Sequence, residues 1–415
     1  MPIKHKIILT TSVLFCIYGF WSIFLIVQNN KPWDFIVDYQ TAVDYTEGLN
    51  PYSEEGFAKS KLHEVGPTGN GHPPCTSFWF LPYTIFSLKI AHFAHTLVCL
   101  ILLYSVIKLA LELSEFPCKW YVVVPIFSLM LNLPYIKYHM LVGQLSIIIA
   151  WLVLLTLKFS LVKKYSIAGL FWGIACTLKF FPGLLCLYFL ITKKWKTLAI
   201  ATIAFIVPSV VMSAKFGLLS WPYFLKKQEV ILDLYLGNIM NHSIHGVILR
   251  FFQPSWLSLA KPNYAANFIS LSTSMIFILL ISYASLRHFR NKKPQQLPFA
   301  TFILATCIFS QWAWSHYNII YLFPALLNLK LSFNVKNRYF RYLSALPSLG
   351  VFISWLMDFQ VAGTMQRSVL SGDATPLMKM LVLEGFSWIP LYLLFFSLMV
   401  KTWVLANNNS RENLG

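Results

Sequence analysis

Residues 165–192, "YSIAGLFWGIACTLKFFPGLLCLYFLIT", form one long apolar run interrupted by Lys179 and Pro182. Lys163 and Lys164 precede it, and "KKWK" at 193–196 follows it. The apolar runs before it lie at 76–88, 91–113, 121–139 and 144–161. Counting each of these as a simple alternating span puts Lys163 and Lys164 outside, against the tendency of basic residues to stay on the cytoplasmic side. One resolution is a hairpin of two short half-helices with "LKFFP" near its outer apex. Broken helices at membrane depth persist only where they are buried in protein or line a cavity.

The rest of the chain supports a membrane reading. Of 415 residues, 57% are hydrophobic and only 12% are charged, about half the charged share of a soluble domain. The first run, 7–27, follows "KHK" and has no small-residue cleavage site, so it reads as a retained span and not as a signal peptide. A β-barrel would show short alternating segments instead. The net charge of +18 is divided among short clusters between apolar runs, which argues against nucleic acid and for cytoplasmic loops. The seven cysteines are scattered, mostly inside apolar runs, without metal-binding or redox spacing.

With the N-terminus inside, residues 28–75 emerge on the outer face. Residues 197–214 rise to an outer loop at 215–262, and 265–286 descend to the basic "RHFRNKK". A rise at 297–311 brings "QWAWSHY" near the outer surface, and 317–329 descend. A rise at 342–357, an outer loop at 358–383 and a descent at 385–404 follow. The expected fold class is an all-α polytopic membrane protein with about eleven to thirteen transmembrane helices and short membrane-surface helices in the outer loops. It forms one domain over 1–404, with a mobile polar cytoplasmic tail at 405–415.

Seven of the fifteen acidic residues fall between Asp34 and Glu64. The helical period places Asp34, Asp38 and Tyr45 near one face, with Phe35 and Ala42 opposite. By spacing alone Asp34 is either an ordinary acid at a helix N-terminus or a general base whose pKa is raised by aromatic neighbours. Asp38 is either its partner or solvated; Asp44 and Glu47 read as solvated. Lys179 is an intramembrane charge, by default a functional candidate, unless it snorkels to the interface. His316 stands among Trp312, Trp314 and Tyr317, either in an interfacial aromatic belt or as an active group. In "NIMNHSIHGVILR", His242 and His245 lack the matched ligands of a metal site, and no metal is expected. Gln144 and the "HPP" at 72–74 are weak alone.

Six segments in order resemble glycosyltransferase family 87, polytopic bacterial enzymes of the GT-C superfamily. They are "DFIVDYQTAVDYTEGLNPY", "HPPCTSFWFLPYTIF", "VGQLSIIIAWLVLL", "AGLFWGIACTLKFFPGLLCLYFLITKKW", "NIMNHSIHGVILR" and "SQWAWSHYNIIYLFPALL", spanning about 34 to 327. His72 replaces the usual Tyr, Ser146 an Asn, Gln311 a Pro and Tyr317 a second His. The resemblance implies a GT-C-type fold and a polyprenyl-phosphate sugar donor, typically mannose, as co-substrate with no cofactor. The acceptor would be lipid-linked or a glycan, in the bacterial inner membrane with the site facing the periplasm or exterior. Asp34 would be the catalytic base, His316 would help form the site, and Lys179 would lie toward the donor phosphate. Asp38, Tyr39, Gln144, Asn241, His242, Arg250 and Trp314 are the further binding candidates. One base acting in direct displacement predicts inversion. The competing classes are a polytopic transporter or lipid-linked sugar flippase, for which two related halves would be expected, and a non-catalytic assembly protein.

Overall fold

A computed structural model describes residues 3–65, 69–238, 240–252, 263–291, 293–356 and 388–407. The outer loop expected at 358–383, part of the one at 215–262 and most of the expected tail lie outside the described residues. The first apolar run forms α1 (Ile3–Asn29), followed by α2 (Trp33–Glu47) and α3 (Glu54–Lys59). Residues Pro74–Ile85 form a 3-10 segment, then come α4 (Leu88–Leu113), α5 (Trp120–Asn132), α6 (Pro134–Val142) and α7 (Ser146–Leu161).

The 3-10 segment corrects the expected span at 76–88. Pro73, Pro74 and Pro82 remove amide donors that an α-helix would need. Its polar side chains turn instead to the end of the next hairpin. The Thr76 hydroxyl donates to the Thr177 carbonyl at 2.9 Å, and the Trp79 indole to the Thr177 hydroxyl at 2.8 Å. With this run removed from the alternation, Lys163 and Lys164 return to the same end as "KKWK".

The lysine-flanked stretch is the expected hairpin: α8 (Tyr165–Leu178), a 3-10 turn Phe181–Leu184 and α9 (Leu185–Ile191), followed by α10 (Trp195–Phe216). Lys179 sits at the apex, where α8 ends in extended backbone. α8 and α10 pack closely because Gly169 and Gly173 leave room for the other backbone. A Cβ at either would lie 2.5 Å from the carbonyl oxygen of Thr197 or Ala201 respectively. Small residues four apart permit this approach between membrane helices, and the matching steps of four run both helices the same way.

The chain continues through α11 (Ser220–Tyr235), α12 (Ile244–Phe252), α13 (Tyr264–Arg290) and α14 (Gln296–Ile308). A 3-10 segment Ser315–Tyr321 leads into α15 (Leu322–Phe333), then α16 (Arg338–Leu356) and α17 (Trp388–Asn407). Among the described residues five helices are long and apolar enough to cross a bilayer: α1, α4, α10, α13 and α17. The pair α5 and α6, bent by 67°, makes a sixth if it is one span. The other apolar elements are shorter, α7 with 16 residues being the longest of four. With these four the described residues give ten, so the expected eleven to thirteen is reached only if α15 and α16 are counted as well. α7 rises about 24 Å, less than the ~30 Å hydrocarbon core, so such helices suit a bundle interior. α14 is buried on every side from Leu297 to Ile308, as expected for a helix apolar all round. The exposed apolar side chains instead line α1, α10 and α13, faces suited to lipid.

The polar segments 28–75 and 215–238 meet at the end away from the lysine turns. Asn50 donates to the Phe216 carbonyl at 2.8 Å, Lys227 to that of Pro51 at 2.8 Å, and Gln228 to that of Gly71 at 2.8 Å. Aromatic packing of Tyr52 on Phe216 and Phe224 closes this layer.

Candidate active site

α2 opens at "KPWD", where Pro32 lacks an amide and the Ile36 N–H returns to its carbonyl at 2.9 Å. Asp34 thus lies in the first helical turn, where the helix dipole favours an anion. Phe35, Asp38 and Ala42 share the buried face of α2. This overturns the expected opposition of Asp38 to Phe35 and Ala42: at about 100° per residue both lie within ~60° of it. Asp44 is also buried, not solvated. It accepts from the Ser60 hydroxyl at 2.6 Å and the Gln40 amide at 3.0 Å, which ties α2 to the turn after α3.

Gln144 reaches Asp34 because of the turn that precedes it. α6 ends at Gly143 with φ of 73°, the left-handed conformation that glycine adopts at least cost. A Cβ on Gly143 would sit 2.4 Å from Phe35 Cβ, so the loop presses directly on α2. Buried histidines hold the same turn: His92 bonds the Met140 carbonyl at 2.9 Å and His95 that of Gln144 at 3.3 Å. The His139 imidazole accepts from the Ile147 N–H at 3.2 Å.

The Gln144 side chain bridges two charges. Its amide N–H donates to Asp34 Oδ2, and its carbonyl accepts from Lys179 Nζ at 2.9 Å. Lys179 also donates to the Tyr317 hydroxyl at 3.4 Å and lies 5.0 Å from that ring's centroid. Its backbone is fixed by Thr76 and Trp79 capping the end of α8, and by the Trp172 indole on the Pro182 carbonyl at 2.9 Å. Lys179 is buried and so does not snorkel. Burial pushes the Asp34 carboxyl above the ordinary carboxylate value. The Lys179 charge and then the Gln144 amide pull it partway back.

The third wall comes from "SQWAWSHY". Around an isolated antiparallel bridge between Asn241 and Trp314, alternate side chains point the same way. Trp312 and Trp314 stack at 5.6 Å with 7° between planes, and Trp314 and His316 at 6.3 Å with 13°. Ala313 faces inward, its N–H on Asn241 Oδ1 at 2.9 Å and its carbonyl receiving the His242 N–H at 2.8 Å. His316 is 7% exposed, and its Nε2 is a buried polar atom with no partner among the described residues.

These groups line one cavity of about 1140 Å³. It reaches from Gly71 in the outer polar layer to Ile278, midway along α13. Of the expected residues, Asp34, Gln144, Lys179, Trp314 and His316 line it. The others stand behind the wall. Asp38 accepts from Asn70 and meets His72 Nδ1 at 2.8 Å. Tyr39 donates to the Phe86 carbonyl at 2.8 Å. Asn241 also binds the Gln311 carbonyl at 2.9 Å, while Arg250 binds the carbonyls of Asn238 at 2.9 Å and Asn241 at 3.0 Å. His242 is anchored through its backbone, its carbonyl accepting from Tyr392 at 3.2 Å. Each of these five is better described as supporting the wall than as binding substrate.

Two lining residues, His72 and Tyr317, were not among the candidate site residues: His72 stood in the weak "HPP" and Tyr317 beside His316, and both departed from the family pattern; a third, Tyr138, had no signal. His72 reaches the wall because Asp38 grips it across 34 positions of sequence, a separation no local spacing reveals. The arrangement can hold a carboxylate near a buried cation without direct pairing, beside stacked rings and above an apolar channel. Asp34 Oδ1 keeps no protein partner among the described residues, so it is available to a hydroxyl in the cavity.

Direct comparison with curated proteins returns no match. The family model for glycosyltransferase family 87 matches residues 71–315, more than half of the 415. The match takes in Gln144, Lys179 and Trp314 but begins after Asp34, whose place rests on the geometry above. The chain belongs to glycosyltransferase family 87.

Proposed function

We propose that the protein is an inverting, metal-independent glycosyltransferase that moves a hexose, mannose in the first instance, from a polyprenyl-phosphate donor to a lipid-linked or glycan acceptor. It would do so on the outer face of a bacterial inner membrane. The observation that carries this reading is the Asp34–Gln144–Lys179 chain on the wall of a cavity that runs from polar outer loops to the middle of the bundle.

In this reading Asp34 takes the proton of the acceptor hydroxyl as its oxygen bonds to the anomeric carbon. The bond from that carbon to the phosphate oxygen breaks, and the polyprenyl phosphate leaves with the electron pair. A single displacement inverts the anomeric carbon. An ammonium has three N–H donors. Gln144 and Tyr317 take two of those on Lys179, and the third, which has no partner among the described residues, can meet a phosphate oxygen whose charge it stabilises. Gln144 keeps the two charges from forming a closed pair, which would neutralise both. The Trp312, Trp314 and His316 ladder offers faces for sugar rings, and the apolar depth of the cavity suits the polyprenyl chain.

The test is transfer of labelled mannose from a synthetic polyprenyl-phosphate donor by the purified full chain, with membrane lipid extract as acceptor. Transfer that persists in EDTA, and falls about a hundredfold or more in Asp34→Asn, supports the reading. No transfer by the wild-type protein would overturn it, and undiminished transfer by the variant would remove Asp34 as the base.

A further inference from the structure

A second cavity, of about 670 Å³, opens at the end of the bundle opposite the candidate active site. The second lysine turn and the start of α8 at Tyr165 build much of its wall. Lys163 and Lys193 both take left-handed backbone, with φ of 60° and 54°. Each is followed by a lysine that starts a helix, Lys164 before α8 and Lys194 before α10. The Thr197 hydroxyl donates to the Tyr165 carbonyl at 3.1 Å, clamping the two helix starts side by side. Gln295, at the start of α14, completes the rim. Three helix N-termini therefore open on one cavity, each carrying partial positive charge and unpaired N–H groups.

The side chains add to this charge. Lys193, Lys194, Lys196 and Lys293 line the cavity, and its lining includes no carboxylate. Lys194 is 7% exposed. Its ammonium is met by neutral groups, Ser160 Oγ at 2.6 Å, Gln295 Oε1 at 2.5 Å and the Tyr165 and Tyr188 rings, whose centroids lie at 5.8 and 5.4 Å. No ion pair to it occurs among the described residues. A buried cation without a carboxylate partner is costly, and this one stands on the wall of a cavity large enough for an anionic group. Trp195 lies on the same rim and is 62% exposed. It begins the outward apolar face of α10, along which Ile203, Val207 and Val210 are also exposed. An anion in this cavity would therefore sit where an amphipathic ring meets a lipid-facing helix, the position of a membrane headgroup.

We infer that this cavity binds the phosphate of an anionic membrane lipid, separately from the donor. α8 has 14 residues and rises about 21 Å, so the site stands roughly that far from Lys179. It uses none of the residues assigned to transfer and does not rest on the proposed function.

Native mass spectrometry and thermal melting of the full chain in detergent test it, using phosphatidylglycerol, phosphatidylcholine and inorganic phosphate as separate probes. Phosphatidylglycerol is expected to be retained and to raise Tm saturably, while phosphatidylcholine does neither. Lys194→Gln is expected to weaken retention about tenfold, the effect of one charge-assisted hydrogen bond. If that variant folds poorly, the triple variant Lys193→Gln, Lys196→Gln, Lys293→Gln, which leaves the buried lysine in place, should show the same loss. Equal retention of both lipids, or retention unchanged in the variants, would overturn the inference. A Tm rise from inorganic phosphate that phosphatidylglycerol cannot exceed would overturn the lipid assignment.

Discussion

Asp34 and Lys179 carry opposite charges in a largely apolar molecule, yet they meet through Gln144 and not through each other. For Asp34 the largest influence is desolvation, which raises its pKa above 3.8. A base must be ionised to act, so activity is expected to fall as pH drops through this raised value. The acid limb of kcat/KM should then have its midpoint above the ordinary carboxylate range. The consequence for stability has the opposite sign. A carboxyl whose folded pKa is raised binds its proton more tightly when folded. Its contribution is fully favourable below about pH 3.9 and is lost as pH rises through the raised value. At neutral pH, Asp34→Asn removes the cost of a desolvated charge. The variant should therefore melt no lower than wild type while losing transfer, the usual trade between stability and activity at a site. A variant that melts several degrees lower would mean that the Asp34 charge holds the fold together instead.

At the scale of elements, the site depends on α2, the turn after α6 and the apex of the α8–α9 hairpin keeping their spacing. Gly143 is the tightest point, because its φ of 73° and its approach to Phe35 both exclude a side chain. Gly143→Ala would add about 1–2 kcal/mol of backbone strain and force α2 away from Gln144. The expected result is a Tm lower by a few degrees and a kcat reduced about tenfold or more, since a misplacement of ~1 Å can cost far more than the lost stability. A kcat that survives intact would show that the Asp34–Gln144 contact is dispensable. A glycine before Gln144 in "VGQLS" is compatible with a turn, but nothing local shows the second constraint on Gly143. Phe35 lies more than a hundred residues earlier, and only packing brings them together.

At the scale of the molecule, the basic turns and the candidate active site occupy opposite ends. The exposed Lys163 marks the first end, and the exposed Lys61, in the polar segment after α3, marks the second. In a cysteine-free chain in intact cells, a membrane-impermeant thiol reagent should label Lys61→Cys from outside. It should label Lys163→Cys only after the membrane is opened. Labelling of both from outside would overturn the assigned orientation and the external placement of the site.

Several features followed from the sequence alone because they depend on local composition and period. The lipid-suited helices, the sorting of basic clusters and the broken hairpin at Lys179 all belong here. The tertiary structure decided what local pattern cannot encode. Residues 74–85 look as apolar as a span, but Thr76 and Trp79 bind the end of α8 and hold the segment as a 3-10 cap. Asp38 read as a partner of Asp34 or a solvated acid, yet it grips His72 behind the wall while Asp34 faces the cavity. Asn241 and Arg250 read as polar binding residues, and they hold backbone carbonyls. In each case hydrogen bonds between distant segments made the choice. The number of carboxylates and cations was written in the chain, and which of them face the cavity was set by packing.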